Sequence, residues 1–221
     1  MRERDIDRAV QGCTAAHRRL ADHLGSLLAS GALDGSQPSL LPDWTVAHVL
    51  AHLAANADSH VRVLDGAARG EVLDQYEGGF AARNAGIEDG ARRDVAHLVT
   101  AVGDSIARLE EAWGRAGARA WEGRWRSPLG PEFPIGELPF RRWREVEMHH
   151  HDLGLAGFGV DDWSPEYVKR ELALRTIEWT SRQSMGMTKL PDAAMQLSPA
   201  ARLAWLMGRA VPPGLDPVRF G

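Results

Sequence analysis

The stretch RRWREVEMHHHDLG, residues 141–154, combines a helical pattern with two glutamates and three consecutive histidines. Glu145 and His149 are four residues apart, as are Glu147 and His151, so each pair lies on one face of a helix and can chelate a single ion. The two faces point in different directions, and only one of them can face inward in a packed bundle. The stretch predicts a helix with a candidate metal site and leaves the two faces as alternatives.

Apolar residues repeat every three to four positions in three further segments, which predicts amphipathic helices. These segments are residues 5–30, the stretch that follows Thr45 as N-cap, and residues from about 90 to 116. The Gly- and Pro-rich segment 117–140 predicts a long ordered connection, after which the fourth helix covers about 136–154. The pattern predicts a mainly α fold, a four-helix bundle in which metal sites form from facing inward side chains.

The character of the sequence changes after about residue 156, which predicts two domains. Residues 1–156 form the bundle, and residues 157–221 form a small C-terminal domain that is mostly helical, with a minor β component. Its predicted elements are helices that begin at Ser164 and Ser198 and two weak strand candidates, DAAMQL at 192–197 and LDPVRF at 215–220.

Composition and charge narrow the range of functions. The net charge is −4, and basic and acidic residues are interspersed along the chain. A protein that binds nucleic acid usually gathers its basic residues into a stripe that follows the phosphate backbone, so no nucleic-acid partner is expected. The single cysteine, Cys13, excludes an intrachain disulfide and a thiolate metal cluster, which fits a reducing cytoplasm. It lies on the first helix with no obvious base and is interpreted as a small core residue.

The N-terminus is charged where a signal peptide requires an apolar run, and no segment approaches the roughly 20 apolar residues of a membrane span. The protein is therefore expected to be cytoplasmic, without a membrane partner, and to be a monomer or a weak homo-oligomer.

The second helix contains two further histidines at four-residue spacing, His48 and His52. His52 lies nearer to the apolar stripe and is the better candidate for facing inward. His60 falls within that stripe, as a packed core residue or as the wall of a pocket. The alternative to a metal site is that such pairs are exposed and contribute roughly 0.2–0.5 kcal/mol each. Nitrogen and carboxylate ligands without thiolate suit zinc or another divalent transition metal.

Four segments, in order along the chain, resemble the mycothiol-dependent maleylpyruvate isomerases and their mycothiol S-transferase relatives, which are DinB-like metal-binding bundles. The segments are LPDWTVAHVLAHLAANADSH (41–60), ARNAGIEDGARR (82–93), LPFRRWREVEMHHHDLG (138–154) and SPAARLAWLMGRA (198–210). The resemblance spans most of the chain, and the motifs are specific in combination although each is weak singly. It implies a DinB-like four-helix bundle followed by a small C-terminal α/β domain.

The resemblance also implies which residues bind the metal. It assigns His52, Glu145 and His149 as the ligands and so chooses between the two faces of the fourth helix. Asp152 is then expected to accept the second imidazole N–H of His149 or to order the site from outside the ligand set. The remaining members of the two pairs become solvated or outer-shell groups: His48, Glu147 and His151.

The function implied by the resemblance is a metal- and mycothiol-dependent cis–trans isomerisation of a maleylpyruvate-like substrate to a fumarylpyruvate-like product. The cofactors would be a divalent metal, with zinc favoured, and mycothiol, and the other partner a small-molecule substrate. Arg83 and Arg209 match positions suited to binding substrate carboxylates. Two alternatives remain: a mycothiol S-transferase acting on another electrophile, and a non-enzymatic metal-binding bundle.

Overall fold

The computed structural model describes residues 3–182 and 189–218, and the chain divides into two compact units, 1–157 and 158–221. The elements of the N-terminal unit are α1 (Glu3–Ala29), α2 (Val46–Arg69), α3 (Gly79–Gly90), α4 (Val95–Arg115), α5 (Ala118–Glu122), β1 (Arg124–Arg126), β2 (Glu132–Pro134), a 3-10 turn (Ile135–Glu137) and α6 (Leu138–Asp152). In the bundle, α2 packs on α4 and α1 packs on α6, and contacts of α1 with α4 and of α2 with α6 complete the core. The predicted mainly α four-helix bundle is confirmed.

Local sequence signals explain where α2 begins and ends and where α4 begins. Thr45 precedes α2 with extended backbone, and its N–H donates to His48 Nδ1 at 3.2 Å. The helix ends at Gly70, whose φ of 85° is readily available only to glycine. Asp94 caps α4 by accepting the Ala96 N–H at 2.9 Å, which is why that helix begins at Val95 rather than near residue 90.

The segments between the bundle helices contain structure that the periodicity does not predict. Helix α3 precedes α4, and Ile87 is its only buried residue among those described, so it lacks an apolar stripe. The long connection contains α5 and an antiparallel pair in which Trp125 lies opposite Phe133. The Arg141 guanidinium lies over both rings, 5.4 and 4.0 Å from their centroids, and ties this hairpin to α6.

The C-terminal unit contains a 3-10 turn (Val160–Asp162), α7 (Pro165–Ser181), α8 (Asp192–Met195) and α9 (Pro199–Leu206). Both helix starts, after Ser164 and Ser198, are confirmed. The strand expected at DAAMQL is wrong, because Asp192–Met195 form a helical turn that buries Ala194 in a cluster with Leu190, Trp205 and Leu206. Residues 215–218 of LDPVRF are not in a strand, and its last two residues lie outside the described part.

None of the helices within the described ranges has both the length and the apolar character needed to cross a lipid bilayer.

Helices α1 and α6 approach closely at Gly12. A Cβ at Gly12 would lie 2.2–2.6 Å from three ring carbons of Trp143. The indole is buried and donates Nε1–H to Glu147 Oε1 at 2.8 Å, so moving it aside would break that hydrogen bond. We therefore expect Gly12→Ala to lower the free energy of unfolding by about 1–3 kcal/mol, although alanine is the better helix former.

Denaturant unfolding measures this effect, with Gly25→Ala as the matched control. Gly25 is an exposed position of the same helix, and a Cβ added there would have no other group within 4 Å. At this position we expect a gain of up to about 1 kcal/mol. Equal stability changes at the two positions would contradict the close approach of α1 and α6.

Candidate metal centre

The residues chosen from the sequence as metal ligands lie together between α2 and α6. His52 Nε2 lies 2.9 Å from Glu145 Oε2, and His149 Nε2 lies 3.4 Å from the same oxygen. One ligand atom from each residue falls within 4.8 Å of the others. Zinc ligands lie about 2.0–2.2 Å from the ion and so roughly 3.4 Å from one another in a tetrahedral site, and a small rearrangement of this triad would therefore produce a three-ligand site with positions left open.

Burial and neighbouring charges set the protonation of the triad. Burial raises the pKa of Glu145, but hydrogen bonds with His149 and His52 outweigh this and hold it well below its usual value. Burial lowers the pKa of His52 to about 4, so this ring is neutral. Burial also lowers the pKa of His149, but Asp152 and Glu145 outweigh it and raise it to about 9. At neutral pH the triad is a carboxylate, an imidazole and an imidazolium, and a metal would displace the imidazolium proton.

Two further side chains orient the histidines. Asp152 Oδ2 lies 2.9 Å from His149 Nδ1, which directs the other ring nitrogen towards Glu145. Arg83 Nη2 donates to His52 Nδ1 at 3.1 Å. Because a guanidinium only donates, Nδ1 is the acceptor, and neutral His52 carries its proton on Nε2, facing the carboxylate. A metal bound at Nε2 would have to take the place of this proton as well as that of the imidazolium. Helix α3, which periodicity does not predict, is the element that brings Arg83 to the triad.

The triad opens into a cavity of about 280 Å³. Its lining combines polar side chains with apolar ones: His52, Asn56, Gln75, Tyr76, Phe80, Arg83, Pro128, Glu145 and His149. A larger groove of about 1160 Å³ runs along α7 in the C-terminal unit. That groove is mainly apolar and, within the described residues, contains no group of three metal-ligating side chains. The chemistry of the lining therefore identifies the smaller cavity as the candidate site.

The face of α6 that carries Glu147 is more buried than predicted. Glu147 is predicted to be solvated or to lie around the metal site, and this is wrong because the face is covered by α1. The residue is 1% exposed, and its Oε1 accepts hydrogen bonds from Arg19 Nη2 at 2.7 Å and from Trp143 Nε1 at 2.8 Å. Its charge serves the packing of α1 on α6.

The other histidines that the sequence singles out lie outside the triad. His60 is buried and does not line the cavity, so of its two interpretations the packed core residue is correct. Burial lowers its pKa to about 3. His48 is partly exposed, with Nε2 3.4 Å from Glu88 Oε2, and His151 is also partly exposed. Arg209 follows α9 in the C-terminal unit, where its Nη1 donates to Met207 O at 3.1 Å.

Cys13 does have a base-type neighbour, contrary to expectation. Its Sγ lies 3.6 Å from His17 Nε2, and His17 Nδ1 lies 2.8 Å from Glu110 Oε1. The four-residue spacing of Cys13 and His17 is the signal that could have revealed this contact. Burial raises the pKa of the thiol, which is fully buried, and lowers that of His17 to about 4. The thiol therefore stays protonated, and Cys13 acts as a core residue.

Comparisons with a protein-family model and with solved structures agree with the resemblance seen in the sequence. A family model described as the mycothiol maleylpyruvate isomerase N-terminal domain matches residues 13–154. The chain is similar to the crystal structure of the mycothiol-dependent maleylpyruvate isomerase, with 25% identity and a TM-score of 0.79 over 93% of this chain and 90% of that chain. The crystal structure of that protein's H52A mutant gives the same values. No curated protein sequence matches the chain. The similarity confirms the predicted mainly α, DinB-like fold class.

Proposed function

The chain belongs to the mycothiol maleylpyruvate isomerase family, and on that premise we propose that it is a metal- and mycothiol-dependent isomerase that converts maleylpyruvate, or a similar cis-enedioic substrate, to the trans isomer. The observation that carries the proposal is the meeting of His52, Glu145 and His149 in one cavity with the Arg83 cation beside them. That arrangement combines a metal site with a group that binds carboxylates.

The ligand set of two imidazoles and one carboxylate favours zinc. When bound, the metal and mycothiol would together supply a thiolate that adds to the activated C=C bond, so that rotation can occur before elimination restores the double bond and the thiol. This supply of an external thiol explains why the buried Cys13 is not needed as a nucleophile.

The chain's own residues would bind and orient the reactants. Glu145 stays anionic, and Asp152 holds the His149 ring in place. Arg83 would bind a substrate carboxylate through paired hydrogen bonds, for which its guanidinium is already at the cavity wall. Phe80 and Pro128 add apolar surface to the cavity wall. Arg209 is proposed as a second carboxylate-binding residue, and this rests on the resemblance of SPAARLAWLMGRA alone.

The decisive experiment is to incubate zinc-loaded protein with mycothiol and maleylpyruvate and to follow the loss of the cis-enedione absorbance. Formation of the trans product, with the thiol recovered and no reaction in its absence, would support the isomerase. Consumption of the thiol into a stable thioether would contradict it and favour an S-transferase. Binding of metal without any reaction would favour a non-enzymatic bundle.

We expect Cys13→Ser to keep turnover at saturating mycothiol within about threefold of the parent, because the reactive sulfur is supplied by the cofactor and a buried cysteine behaves as a small core residue. Steady-state kinetics at saturating thiol measures this. A loss of a hundredfold or more with an intact fold would mean that the protein's own thiol takes part.

A further inference from the structure

Arg142 is a buried cation that contacts Asn56 in the wall of the candidate site, and its burial costs folding free energy. The residue is 0% exposed, and none of the described carboxylates lies within 4.0 Å of its guanidinium. One of its nitrogens, Nη2, has no hydrogen-bond partner within the described residues. Burying a charge without a carboxylate partner is strongly unfavourable, and an apolar residue would pack there more stably. A cost of this kind points to a role beyond packing.

The hydrogen bonds of Arg142 hold Asn56 in one orientation. Nη1 donates to Asn56 Oδ1 at 2.9 Å and to Leu53 O at 2.9 Å, and Nε donates to His17 Nε2 at 3.1 Å. Because a guanidinium has donors only, the atom of the amide that faces it must be the oxygen. The usual ambiguity between the two ends of an asparagine amide is thereby removed. The amide nitrogen, Nδ2, lies on the side away from Arg142.

Asn56 also lines the cavity of the metal triad. It lies one helical turn after His52 on α2, is 3% exposed, and shares the cavity wall with Glu145 and His149. Its Nδ2 has no hydrogen-bond partner in the described part of the chain, since the side chain's one hydrogen bond is made by Oδ1. The neighbouring Gln75 differs, because its Nε2 donates to Ser59 Oγ at 3.2 Å. Asn56 thus offers two unused N–H donors, held in place, beside the candidate metal ligands.

We propose that Asn56 is a catalytic residue that donates an amide N–H to the substrate oxygen on which negative charge develops, and that Arg142 is the positioning residue that aims it. The first half rests on the proposed function. Addition of a thiolate to a C=C bond conjugated with a carbonyl moves charge onto the carbonyl oxygen, and elimination returns it. No proton passes from Asn56, because a fixed neutral donor stabilises the charge by hydrogen bonding alone.

Two substitutions separate this role from that of a mere acceptor for Arg142. Asn56→Asp keeps an oxygen for Arg142 and gives its charge a partner, but it replaces the donors with an acceptor. Asn56→Ala removes both. We expect both variants to keep the parent's zinc content and to lose about a hundredfold in kcat, the usual effect of removing one such donor. If the amide only satisfies Arg142, Asn56→Asp will turn over like the parent, and the proposal is overturned.

Binding of maleate to the zinc-loaded protein without thiol supplies a second measurement that does not depend on turnover. A maleate carboxylate oxygen stands in for the charged substrate oxygen, and calorimetry gives its Kd. We expect the Kd to rise about tenfold or more in both Asn56 variants, as for loss of a hydrogen bond to a charged group. If the parent does not isomerise maleylpyruvate but this difference persists, the proposed function fails and the donor role stands. Unchanged maleate binding in both variants, or loss of zinc from both, overturns the role of Asn56.

Arg142→Lys tests the positioning role, because it keeps a cation but loses the fork that holds the amide. We expect kcat to fall about tenfold at an unchanged KM, since the amide is no longer aimed when charge develops. Simple destabilisation would instead lower the Tm and the active fraction without changing the kcat of the folded enzyme. Parent-like kcat in this variant would remove Arg142 from the proposal.

Discussion

His149→Ala is expected to abolish metal binding and to lower turnover by about a thousandfold or more, because Lewis-acid activation is worth several kcal/mol. Its Nε2 faces Glu145 Oε2, and its other ring nitrogen contacts Asp152, so no nearby histidine among the described residues occupies an equivalent place. His151→Ala is the matched control, from the same helix and with the same change in composition. His151 is partly exposed and outside the triad, so this variant should keep metal and turnover close to the parent.

Elemental analysis of protein purified without added metal measures the predicted loss of metal binding. We expect about one divalent metal per chain in the parent and in His151→Ala, as for a catalytic site with three protein ligands, and almost none in His149→Ala. Circular dichroism establishes that the variants remain folded. Equal losses of metal from the two variants would mean that the wrong face of α6 has been assigned.

The second large effect is expected for Arg209→Ala, which should reduce kcat/KM by about a hundredfold or more while metal content and Tm stay close to the parent. The alternative is a structural role through the hydrogen bond from Arg209 Nη1 to Met207 O. Loss of the side chain would then lower the free energy of unfolding by about 1 kcal/mol and leave activity unchanged. Arg209→Lys should recover only part of the loss, because a paired fork becomes a point charge.

Arg202→Ala is the control for a structural arginine in the same unit. Its guanidinium donates to the backbone oxygens of Ala194, Met195 and Leu197. We expect this variant to lower the Tm and to leave the kcat/KM of the folded protein near that of the parent. Normal turnover of Arg209→Ala would remove this residue from substrate binding, and carboxylate recognition would then rest with Arg83.

The sequence predicts the bundle well because its helices carry apolar stripes. It narrows the candidate ligands on α6 to two pairs, and offers a third pair on α2, because four-residue spacing fixes a shared helix face. It does not predict α3, because a helix that buries a single side chain leaves no periodic signal. The arrival of Arg83 at His52 follows from α3, so this contact is also beyond the reach of periodicity. The strands β1 and β2 span three residues each, too few for an alternating pattern to stand out.

Buried polar residues are the second group that sequence periodicity misjudges. Glu147 is predicted to be a solvated or outer-shell group, yet it is buried because α1 covers its face of α6. A helical wheel shows which residues share a face but does not show which partner helix lies against it. Only tertiary packing distinguishes a solvated glutamate from one that binds Arg19 and Trp143.

Helix α3 buries little of its own surface, so the part of the site that it carries can change during evolution independently of the metal ligands. Among the described residues of α3, only Ile87 is buried. The metal ligands, in contrast, lie on α2 and α6 in the bundle core. Substitutions along the exposed length of α3 can therefore alter the shape and charge around Arg83 at little cost to folding. On the proposed function, the metal ligands belong to the bundle core, and substitutions on α3 could change which substrate is bound with little effect on the ligands.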